Sequence, residues 1–148
     1  MKYSTINSIQ MLTISMMLAT GNVVFAQSPN SSHHGGECSN RTLLGDYGAK
    51  IEGTLLGPNW PVRTLVLFRF DGHGRVISLG HPVVNGTPPA EEWAEDAGTY
   101  TVNPDCTGSA TIEAAPPIPL HLVVVNRGRQ IYFVVDTNAT TGEARKVD

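Results

Sequence analysis

Two histidines, His81 and His121, and two tyrosines, Tyr47 and Tyr132, are the side chains of this 148-residue chain best suited to acid–base or hydrogen-bonding chemistry. His81 shares a two-residue alternation with Ile77, Leu79 and Val83, and His121 shares one with Val123 and Val125. If those faces line an enclosed interior, two imidazoles sit in apolar surroundings and change charge near neutral pH, as a general acid or base must. The plainer alternative is that each ring hydrogen-bonds a neighbouring strand or faces solvent. Tyr47 and Tyr132 would add hydroxyl donors from adjacent strands. Glu52 and Arg69 would join Tyr132 inside only if the inward face were the polar one. Both faces of these segments are apolar, so periodicity does not choose between them. His81, His121, Tyr47 and Tyr132 are therefore the expected ligand-binding set, and no residue is assigned a catalytic role.

Other chemistries find little support. There is no G-x-S-x-G nucleophile elbow and no H-E-x-x-H zinc motif. "DGHG" (71–74) has neither a following helix nor a lysine for a phosphate, and reads as a hairpin turn. "EEWAED" (91–96) would gather Glu91, Glu92, Glu95 and Asp96 around a hard cation such as calcium if it formed a helical turn. The competing reading is a solvated loop around Trp93, which would cover one end of the fold. Cys38, Cys106, His33 and His34 lack the paired spacing of a zinc site. The expectation is no metal and no cofactor. Arg127 and Arg129, and Arg145 and Lys146, are close pairs that extend no further, so nucleic acid is not an expected partner.

The two cysteines bear on the compartment. Lys2 is the only charge in the first 26 residues, "MLTISMMLAT" (11–20) is apolar, and Val24 and Ala26 occupy the −3 and −1 positions before Gln27. This is the pattern of a cleaved export signal, with an uncleaved anchor as the competing reading. A secreted or periplasmic protein follows, soluble once the leader is gone. Export places Cys38 and Cys106 where disulfides persist, and two cysteines allow one intramolecular pairing. Closing so long a loop is worth roughly 4 kcal/mol in the chain-entropy model. Residues 27–37, "QSPNSSHHGGE", read as a flexible linker. The sequons at Asn30, Asn40, Asn85 and Asn138 carry meaning only in a eukaryotic host.

The elements that must position these residues are short and β-rich. "LLGDYGAKIEGT" (43–54) alternates, with Tyr47, Ala49 and Ile51 opposite Lys50 and Glu52. "VRTLVLFRF" (62–70) turns through "DGHG" into "RVISLGHPVV" (75–84), and "AGTYTVN", "TGSATIEA", "LHLVVVNR", "QIYFVVDT" and "GEARKV" follow. No amphipathic helix of three turns interrupts them. Residues 38–148 are thus expected to form one all-β domain, a seven- to eight-stranded antiparallel up-and-down barrel, with a two-sheet sandwich as the alternative. Strands apolar on both faces, such as "TLVLF" and "LVVV", also expect a covering loop, a short helix or a second copy outside, hence a homo-oligomer.

The order "LLGDYG", "FRFDGHGRV", "GTYTVNPDCTGSATI", "VVVNRGRQIYFVVDT" and "TGEARK" after a cysteine resembles small exported barrels of the allene-oxide-cyclase-like and lipocalin-like group. The resemblance runs from Cys38 onward. It implies an eight-stranded antiparallel barrel whose mouth holds a small apolar molecule. The matching residues, among them Gly45, Tyr47, Asp71, Gly98, Tyr100, Asp105 and Cys106, belong to turns, core and the bridge, so no catalytic residue carries over. Three functions remain: a binder of a small apolar ligand, a cofactor-free cyclase or isomerase, and a structural or interaction protein of the envelope or extracellular space. The first leads, because no acid–base pair stands at recognisable spacing.

Overall fold

The computed structural model describes residues 37–148, so the expected leader (1–26) and all but the last residue of the linker lie outside the described residues. Eight strands follow in order: β1 (Gly45–Leu55), β2 (Trp60–Phe70), β3 (Arg75–Val84), β4 (Ala94–Val102), β5 (Thr107–Ile112), β6 (Ile118–Val125), β7 (Gln130–Val135) and β8 (Ala139–Lys146). Each pairs antiparallel with the next, and β8 returns to β1 through pairs such as Ala49↔Ala144, closing the barrel. Closure leaves no edge strand. The sandwich alternative is thereby corrected: the strands make one closed sheet.

Turn chemistry explains the two aspartate-containing hairpin motifs. In "DGHG", Asp71 Oδ1 accepts hydrogen bonds from the backbone N–H of His73 (2.7 Å) and Arg75 (2.9 Å). Those donors hold its carboxyl below the ordinary range. In "NPDCTG", Asp105 Oδ1 accepts from the Thr107 hydroxyl (2.6 Å) and backbone N–H (2.9 Å), with the same effect, led by the hydroxyl. Both aspartates shape hairpins.

Cys38 and Cys106 form the disulfide, with Cα atoms 5.0 Å apart across 68 positions of sequence. Such a bridge belongs to an oxidising compartment. It fastens residues 38–44 across one end of the barrel. A 3₁₀ turn there (Asn40–Leu43) buries Leu43 completely. Asn40 secures that turn: its Oδ1 accepts from Val102 N–H (2.7 Å), and its carbonyl accepts from the Tyr100 hydroxyl (3.0 Å). Beneath it lies an aromatic plug. Tyr47 meets Phe70 edge-on at 5.4 Å, and Phe70 meets Tyr100 at 4.9 Å. Farther along, Phe68 meets Phe133 at 6.0 Å. The Phe133 ring lies over Gly142, where an added Cβ would come within 2.2 Å of it, so only glycine leaves room at that position.

Candidate ligand-binding site

The interior is divided along its length. The half capped by the disulfide is filled by the plug, and only a gap of about 20 Å³ remains between Phe68, Phe133 and their neighbours. At the other end, where β1, β3, β5 and β7 finish, the lumen opens as a cup of about 270 Å³. Phe68, Ile112 and Leu120 line both spaces and so form the floor. Ile51, Val62, Val66, Ile118 and Val135 make apolar walls. The volume lies just under the roughly 300 Å³ at which drug-sized pockets begin.

The cup exists because the inward residues become small towards this end. Strands β2 and β3 place Thr64, Ser78 and Gly80 where the plug half carries Phe68, Phe70 and Tyr47, and β8 adds Thr140. Ser78 Oγ donates to the Asp96 carbonyl at 3.3 Å, which satisfies one hydroxyl. Asp96 is the only ionisable side chain lining the cup among the described residues. It lies on the inward alternation of β4 with Gly98, Tyr100 and Val102. Its neighbour Glu95 points outward. The four-carboxylate cluster that a helical turn in "EEWAED" would gather does not form, because Glu95 and Asp96 lie in a strand that sends them to opposite faces.

The expected site residues are dispersed, and one of the four faces inward. His121 lies on the outer wall with its side chain 70% exposed, and its Nδ1–H donates to the Asp136 carboxylate at 2.9 Å. Tyr132 is also outside, its hydroxyl accepting from Gln130 Nε2 at 2.8 Å. These two share an open trough of about 760 Å³ with Lys50, Val123, Val134 and Glu143. His81 follows Ile77, Leu79 and Val83 onto the outer face. Its Nδ1–H donates to the Glu92 carbonyl, and its ring centroid stands 5.7 Å from Trp93. Trp93 thus packs beside the outer wall, near Leu65, and does not cover a barrel end.

Tyr47 is inward and completely buried, but in the plug. Its hydroxyl donates to the Gly128 carbonyl. Burial pushes its pKa up to about 12, and the nearby Tyr100 adds to the rise. That hydroxyl is occupied and lies outside the cup lining. Glu52 and Arg69, tied to a polar inward face, are likewise on the outer alternation. Sequence reading missed Thr64, Ser78, Gly80, Asp96 and Thr140. The available signal was an inward face that turns from aromatic to small along the same strands.

Comparison of the chain with protein-family models, curated proteins and solved structures finds no match. What stands is the architecture: a closed eight-stranded antiparallel barrel, consistent with a lipocalin-like barrel, plugged at one end and open at the other.

Proposed function

We propose that this is an exported binding protein, secreted or periplasmic, that holds one small, mainly apolar molecule in the open cup without converting it. The observation that carries this reading is the division of the lumen. A barrel of this size can fill itself or leave room for one ligand, and this one does each in a different half. The cup's groups suit holding a molecule: apolar walls for affinity, with a few hydroxyls and one carboxylate for orientation.

The test uses N-phenyl-1-naphthylamine, an uncharged apolar fluorophore that brightens on leaving water. It should bind saturably, one per chain. Gly80→Phe should fill the cup without disturbing the wall, because a Cβ at Gly80 meets only Val66 Cγ2, at 4.0 Å. Losing most of the ligand's apolar burial should weaken binding by about tenfold or more, with the circular dichroism unchanged. His121→Ala and Tyr132→Ala, both in the outer trough, should leave affinity as it was. Absence of saturable binding, or binding indifferent to Gly80→Phe, would overturn the reading.

A further inference from the structure

We infer that the cup selects a cationic amphiphile, a small molecule with an apolar body and an ammonium group that pairs with Asp96. The inference rests on the cup being the binding site and names the class of molecule it takes.

Three observations converge. First, Asp96 faces the cup, and none of the four ion pairs among the described residues involves it. No side-chain hydrogen bond among the described residues reaches its carboxylate either; only its backbone carbonyl is engaged, by Ser78. Second, the surroundings are apolar. A purely apolar occupant would strip water from that carboxylate and give nothing back, which is costly. An ammonium restores the lost interaction, and between apolar walls the pairing is stronger than on an open surface.

Third, acidic side chains gather at the open end of the barrel. The strand ends and loops around the cup carry Glu52, Glu91, Glu92, Glu95, Asp96, Glu113 and Asp136, against the single cation Arg63. His81 and His121 are the other titratable groups at this end, and both are engaged on the outer wall. The plugged end is mixed, with Arg41, Arg75, Arg127 and Arg129 standing among Asp46, Asp71, Asp105 and Asp148. A mouth of one sign over low-dielectric walls concentrates ligands of the opposite sign. It repels fatty carboxylates.

The experiment displaces N-phenyl-1-naphthylamine from the full mature protein with three eight-carbon competitors: n-octylammonium, n-octanol and n-octanoate. Octylammonium should displace at a concentration about tenfold below octanol, with octanoate weakest. Asp96→Asn keeps the shape and removes the charge, and should bring octylammonium and octanol together while the fluorophore still binds. The remaining preference from the rim should fade in 0.5 M salt, whereas the wild-type preference persists in part. Equal displacement by amine and alcohol in the wild type would overturn the inference and leave the cup intact as a binding site. A preference that survives Asp96→Asn in high salt would overturn it as well. Failure of the fluorophore to bind at all would remove the cup reading itself, and the inference with it.

Discussion

Reduction of the Cys38–Cys106 bridge, or its replacement in a Cys38→Ala/Cys106→Ala double variant, is expected to lower stability by roughly 4 kcal/mol. The bridged cysteines are 68 positions apart, and cross-linking so long a loop removes much of the unfolded chain's freedom. The bridge also anchors the segment that buries Leu43 over the plug. Loss of the bridge should therefore free residues 37–44 before the strands part. Urea unfolding followed by tryptophan fluorescence, beside hydrogen exchange at Leu43 and Val102, measures both effects. Exchange should accelerate at Val102 in the double variant, because its N–H is held by Asn40 of that segment. A midpoint unchanged by reduction would show that the barrel holds its cap without the bridge.

The second large effect lies at Tyr47. Tyr47→Ala should cost about 3–5 kcal/mol, the usual range for emptying a packed aromatic site. Tyr47→Phe keeps the ring and strands the Gly128 carbonyl, which should cost about 1–3 kcal/mol. The tyrosine also sets an alkaline limit. Its pKa is about 12 in the folded barrel against 10.0 ordinarily, so the fold favours the protonated phenol. Its contribution is complete below pH 10 and is lost as pH rises from 10 towards 12, where only the unfolded chain ionises freely. Tyr100 shifts the same way through burial, so Tyr47→Phe should reduce the alkaline slope without abolishing it. Urea midpoints at pH 8, 10 and 11.5 for both proteins test the sign: the gap between them should narrow as pH rises.

Much of the barrel is legible in the chain because turn chemistry and alternation agree. Asp71 with its glycines, and Asp105 with Thr107, announce hairpins through side-chain caps that the fold then uses. The only possible cysteine pairing is the one formed. The candidate cup was hidden for a physical reason. In β3, Ile77, Leu79 and Val83 look like the core face, while Ser78 and Gly80 look like its solvent face. A cavity reverses that appearance, because small residues must point inward to leave space. His81 was carried to the wrong side by the same pattern, and His121 sits in a β6 whose two faces are equally apolar. Asp96 was masked by its acidic neighbours in "EEWAED", from which the strand separates it. Apolar outer-wall residues were expected, and Leu65, Val123 and Val134 are indeed exposed there.

Amide chemical shifts of the protein, followed during titration with n-octylammonium, test the central claim most directly. The perturbations should gather on Val66, Gly80, Asp96, Ile112, Leu120 and Val135 around the cup, saturate together and vanish in Gly80→Phe. Shifts that instead collect on His121, Val123, Tyr132 and Val134 would place the site in the outer trough and contradict a ligand held in the lumen.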